Sequence, residues 1–198
     1  EDIYESDNAL KVIDSSENVE LIENCDKAHS EHEEEKEHHG HNHSVNSHIW
    51  MSPKNAIIQV TNIADELKEL YPQYEEKIES NKNSYIYRLN VLDEDLALKA
   101  EKLKNKNIIT FHESYDYLAK EYSFSVIATV ESHEGGEPSA KRLCELTEII
   151  KENNVNVLFT EPDYKGSAAT VLSNETDAEI CVLNPVKKRE KSLSAYEA

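Results

Sequence analysis

The chain has 198 residues, long enough to bury a sizeable core in one domain or two small ones. Its 40 acidic against 21 basic residues give a formal charge of −19, which argues against nucleic acid, bound through Lys and Arg, and favours cations. No run of about eighteen apolar residues occurs, so no membrane-spanning helix is expected.

In chain order, "ALKVID" (residues 9 to 14) predicts a short strand, and Ser15 or Ser16 is a candidate cap at the start of "SSENVELIE". The chain's first residues, "EDIYESDNALKVID", lack the basic flank and apolar centre of a signal peptide. A His/Glu-rich loop (29 to 47) comes next, too polar to pack. In it His29, His32, His38, His39, His41 and His43 lie among Glu31, Glu33, Glu34, Glu35 and Glu37, with Gly40 as a hinge. Imidazole and carboxylate are good zinc ligands, and such tracts are compositional metal-binding signals. A flexible loop fixes no geometry, so weak binding of variable stoichiometry is expected. A solvated acidic linker would explain the glutamates but not the histidines.

His48 differs from these histidines, because Ile49, Trp50 and Met51 follow it and hold it against the fold. Two readings stay open for it: a packed, hydrogen-bonded core residue, or a positioned ligand. From Pro53 a helical pattern begins, with Ala56, Val60, Ile63, Ala64, Leu67 and Leu70 at three- and four-residue steps, and Pro72 ends it. A second helical run is predicted from Gln73 to Lys104, with a seam from Tyr74 through Tyr85, Leu89 and Leu96 to Leu103. At 1.5 Å per residue it would measure about 45 Å, a length suited to bracing two lobes.

The remainder alternates strand and helix, the pattern of a parallel sheet covered by helices. Strands are predicted at 107 to 111, 124 to 130, 155 to 160 and 179 to 183. Helices are predicted over "SYDYLAKEY", over "PSAKRLCELTEIIKENN" behind Pro138 and Ser139, and near 166 to 174. Ligands of open α/β sheets bind beyond the carboxyl ends of the strands. Those ends carry His112, then Glu131 and His133, then Glu161, and finally Asn184. His133 reads more naturally as an exposed loop residue, and Glu161 as a neighbour of the site.

Cys25, Cys144 and Cys181 are widely spaced without a C-x-x-C pair, so neither a disulfide scaffold nor a cysteine zinc knuckle is indicated. Cys144 and Cys181 read as small buried hydrophobes. "HESYD" from His112 lacks the second histidine of H-E-x-x-H, where Asp116 stands, and no phosphate loop or nucleophile elbow occurs. No enzymatic activity is expected.

The ordered series of a His/Glu-rich loop, "HIWMSPKNA", a long helix, "TFHESYDYLAKEYSF", "EGGEPSAKRLCELTEIIKENNVNVLFTEP" and "AEICVLNPV" closely resembles the zinc-specific solute-binding proteins of bacterial ABC transporters, the ZnuA/TroA-like group. The resemblance covers nearly the whole chain. It implies two α/β lobes joined by one long helix, with a metal clamped between them. On this chain it implies a remnant of the first lobe over 1 to 72, a bridging helix over 73 to 105 and a second lobe with a parallel four-stranded sheet over 106 to 198.

The resemblance also places the family's ligand histidines on His48 and His112. Manganese-type relatives carry a glutamate at the latter position, so His112 favours zinc. The family's aspartate of "lDPlG" falls on Asn184, a poorer ligand. Its first ligand histidine would lie before Glu1 and the final helix of its second lobe after Ala198, so the chain is expected to be truncated at both ends. Function follows by the same implication: extracytoplasmic capture of zinc as the transported ligand, by a monomer, periplasmic or a cell-surface lipoprotein, that serves a separate permease and ATPase. Two further readings are a zinc buffer acting through the His-rich loop and a manganese-binding or adhesin-type relative.

Overall fold

The computed structural model describes residues 11–23, 45–130, 137–164 and 166–185. Cys25, the six loop histidines from His29 to His43, Glu131 and His133 lie outside the described residues.

Four strands form one parallel sheet: β1 (Asn107–Thr110), β2 (Ser125–Thr129), β3 (Val157–Thr160) and β4 (Glu179–Val182), in the order β2-β1-β3-β4. The central strands are apolar on both faces, as strands covered by helices must be, and Ile109 and Leu158 are fully buried. Helix α3 (Asp116–Tyr122) joins β1 to β2, α4 (Ala140–Glu152) joins β2 to β3, and α5 (Ala168–Thr176) joins β3 to β4. Helix α4 starts where Ser139 Oγ accepts from the Arg142 N–H at 3.2 Å, and it lays Leu146 and Ile150 on the sheet. Together with Phe111, Leu158 and Leu172 they make the main core.

Helix α1 (Pro53–Leu70) opens on Ser52, whose Oγ accepts from the Asn55 N–H at 3.3 Å, with Pro53 in the first helical position. A 3-10 turn, Pro72–Tyr74, leads into α2 (Glu75–Glu101). Leu89 of α2 is fully buried against Ala56, Ile57 and Val60 of α1. At the elbow Lys68 meets Asp65 at 2.9 Å and Glu79 at 3.0 Å, and Glu79 meets Lys82 at 2.7 Å. Helix α2 reaches the second half of the chain where Tyr122 Oη donates to Asp93 Oδ1 at 2.9 Å.

Several expectations need correcting. Residues 11–14 form no strand, and no helix starts at Ser15 or Ser16. Asp14 Oδ1 instead accepts from the Ser16 N–H at 2.9 Å and from its hydroxyl at 2.6 Å, which locks a turn at 15–18. That turn docks on α1, where Asn62 Nδ2 donates to the carbonyls of Ser15 and Glu17 at 3.1 and 2.8 Å. The long helix is shorter at both ends than its pattern suggested. Its 27 residues measure about 40 Å, and the ends of the expected seam, Tyr74 and Leu103, are 56% and 49% exposed. Cys144 and Cys181 are exposed rather than buried. Cys181 sits on β4, an edge strand, and Cys144 on the side of α4 that faces away from the sheet.

Candidate metal centre

Strand order decides where a ligand can sit. The chain leaves β1 toward β2 on one side and returns to β3 on the other, so the switch point lies beyond the carboxyl ends of β1 and β3. His112 follows β1 and Glu161 follows β3. A second group of residues reaches the same edge from far away in sequence: the segment 45–52, which precedes α1.

That segment is tied to the sheet by side chains. Trp50 Nε1 donates to the Pro185 carbonyl at 2.9 Å, just past β4. Tyr117 Oη donates to the Asn46 carbonyl at 2.9 Å and accepts from the Ile22 N–H at 3.0 Å. Val19, Ile49 and Tyr117 close a small apolar cluster beneath. The result brings His48 to His112, with ring centroids 5.2 Å apart and planes perpendicular. His48 is 8% exposed and lies 5.4 Å from the Trp50 ring, whereas His112 is half-buried.

The separation suits one divalent ion. With Zn–N bonds of about 2.0 to 2.1 Å at tetrahedral angles, two imidazole centroids on the same ion stand about 5 Å apart. The His48 ring is also fixed: its Nδ1 lies 2.9 Å from Asn46 Oδ1, which leaves Nε2 for a ligand. Both open readings of His48 therefore describe one geometry, a buried, hydrogen-bonded imidazole that faces a second one. Among the described residues no third His, Cys, Asp or Glu joins the pair as a metal-holding group.

Glu161 accepts from Ser114 Oγ at 2.8 Å, which ties the end of β3 to the turn that follows His112. Asn184 is exposed, beside the Pro185 carbonyl held by Trp50. The Tyr115 hydroxyl donates to the Leu183 carbonyl at 2.7 Å. Burial first, then the charges of Glu161 and Cys181, push its pKa well above the ordinary range. It stays a donor at any ordinary pH and clamps the segment after β4. Sequence reasoning missed Asn46 and Ser114, since a polar residue in a loop carries no periodic signal. The tryptophan N–H of "HIW" was the one clue to the Pro185 bond, because a buried indole usually finds an acceptor.

Open parallel α/β sheets take ligands at this switch point, and two imidazoles facing each other there have the chemistry of a divalent-cation site. The chain belongs to the family described as "ZnuA: Zinc-uptake complex component A periplasmic", whose model matches residues 1–198. It is similar to the zinc-binding lipoprotein AdcA of Streptococcus pneumoniae, with 33% identity over 90% of this chain and 35% of that protein. It is similar as well to the high-affinity zinc uptake system protein ZnuA of Bacillus subtilis, with 34% identity over 75% of this chain and 47% of that protein. A crystal structure of ZnuA superposes with a TM-score of 0.76 at 27% identity, covering 95% of this chain and 66% of that one. The chain thus spans about a third to a half of the length of these two curated relatives.

Proposed function

We propose that this chain is the zinc-capturing part of an extracytoplasmic solute-binding protein, a monomer that delivers its cargo to the permease and ATPase of an ABC importer and catalyses no reaction. The observation that carries this reading is the pair of imidazoles, His48 and His112, 5.2 Å apart at the switch point of a sheet in a zinc-uptake family. Zinc is the substrate. Imidazole donors suit it better than the all-oxygen sites that manganese prefers. Two protein ligands fall short of the three or four usual for zinc, so water or neighbouring carboxylates complete the shell. The histidines from His29 to His43 act as an auxiliary collector, their excess over a plain acidic linker being the support for that role.

Zinc titration against a competing chelator tests the assignment. His48→Ala and His112→Ala should each weaken the tightest binding step, while deletion of residues 29 to 43 should remove only weaker steps. The reverse pattern would make the chain a zinc buffer that works through its loop. A preference for manganese in competition would overturn the choice of metal.

A further inference from the structure

Asn46 is fully buried in the short irregular stretch before the 3-10 turn Ile49–Met51. Its carboxamide uses its whole hydrogen-bonding capacity, two acceptor sites and two donors. Oδ1 accepts from the His48 backbone N–H at 2.9 Å and lies 2.9 Å from His48 Nδ1. Nδ2 donates to the Glu113 carbonyl at 2.9 Å and to Asp116 Oδ2 at 3.1 Å.

This pattern removes the usual ambiguity of an amide. A backbone N–H can only donate and a carbonyl can only accept, so the atom facing His48 is oxygen and the atom facing Glu113 is nitrogen. A flipped amide would set N–H against the His48 N–H and oxygen against a carbonyl and a carboxylate, forfeiting the bonds to His48 N, Glu113 O and Asp116 Oδ2. With oxygen at that position His48 Nδ1 must carry the proton. The lone pair of the neutral ring then lies on Nε2.

The same amide reaches the other imidazole. Glu113, whose carbonyl it holds, directly follows His112, and Asp116 opens α3, the helix whose Tyr117 Oη grips the Asn46 carbonyl. The Asn46 N–H donates to the Ile22 carbonyl at 2.9 Å, so the residue is held from both sides.

We propose that Asn46 is the positioning residue of the metal site: it selects Nε2 of His48 as the ligating nitrogen and locks the segment carrying His48 to the turn carrying His112. This rests on His48 serving as a zinc ligand. Behind it the Asp116 carboxylate completes a line from carboxylate through amide to imidazole, which raises the ring's donor strength as outer partners of metal-bound histidines do. The two imidazoles are consequently set before the ion arrives, and little ordering accompanies binding.

Long-range 1H–15N NMR of the zinc-free protein reads the tautomer without any substitution. His48 should show a pyrrole-type Nδ1 and a pyridine-type Nε2; a ring protonated at Nε2 overturns the proposal. Asn46→Leu should bind zinc about 10- to 100-fold more weakly in chelator competition and lose the single tautomer. The exchange Asn46→Asp with Asp116→Asn keeps an acceptor at His48 and an amide opposite it, and should restore most of the affinity. A folded Asn46→Leu with undiminished affinity overturns the positioning role. If Asn46→Leu does not fold, the wild-type tautomer and the exchanged pair decide, and an exchanged pair as weak as His48→Ala sinks the idea. Unchanged affinity in His48→Ala would instead remove the ligand assignment beneath it.

Discussion

The indole N–H of Trp50 meets the carbonyl oxygen of Pro185 at 2.9 Å across 135 residues of chain. This bond joins the segment carrying His48 to the end of β4, and with it the open side of the site to the sheet. Trp50→Phe keeps most of the ring and removes the donor. It should lower stability by about 0.5 to 1.5 kcal/mol in urea denaturation, the worth of one intramolecular hydrogen bond. Zinc affinity should fall with it, because the bond anchors the segment that carries His48 to the end of β4. Unchanged zinc binding would separate the clamp from the site.

Leu89 is fully buried between α1 and α2, away from the imidazole pair. Leu89→Ala should cost about 2 to 5 kcal/mol, the lost burial plus the cavity left behind. Chelator competition on the folded fraction should show zinc affinity unchanged, since the helices' mutual packing does not touch His48 or His112. A parallel loss of affinity would mean that α1 and α2 hold the site directly.

Charge at the elbow makes a pH prediction. Lys82 and then Lys68 hold the Glu79 carboxyl down at about 2, from an ordinary value of 4.5. A carboxyl lowered in the folded state contributes stability above 4.5, and that contribution fades as pH falls toward about 2. Lys68 is raised, by Asp65 first and Glu79 next, so its contribution is present below 10.5 and fades as pH climbs past its raised value. Amide protection at residues 68–79, corrected for the intrinsic pH dependence of exchange, should therefore fall at the acid end and again in strong alkali. Glu79→Gln should abolish the acid-side change, and an unaltered profile would refute the assignment. These charges are only partly covered, so added salt should shrink both effects.

Cys144 and Cys181 are exposed free thiols. Both should be alkylated in the native protein without denaturant, as peptide mass spectrometry would show, and zinc affinity should survive the modification. Protection of either residue until unfolding would contradict its exposure.

Much of the local structure was legible in the sequence. Pro138 and Ser139 with Leu143, Leu146 and Ile150 at helical spacing specify α4, since a cap and an amphipathic stripe are local properties. The apolar runs around Ile108, Val126, Leu158 and Ile180 mark the four strands, each trimmed by a residue or two at its ends. The turn at 15–18 was misread, because the apolar residues before it resemble a strand, whereas Asp14 bonds back to Ser16. The cysteines were misread for another reason. Exposure on β4 or on the outer face of α4 depends on sheet order, which spacing does not carry.

Sequence by itself determined which side chains were available: a histidine held by Ile-Trp-Met, a histidine at the end of a strand, and an acidic, histidine-rich loop. It also carried the resemblance to a zinc-uptake family, because ordered motifs survive in the chain as a string. Only the tertiary structure decided that His48 and His112 face each other at 5.2 Å, because the order β2-β1-β3-β4 sets the switch point and long-range bonds fold residues 45–52 onto it. The role of Asn46 was likewise invisible until the fold closed. An amide chooses its partners by direction, and direction in space belongs to the folded chain.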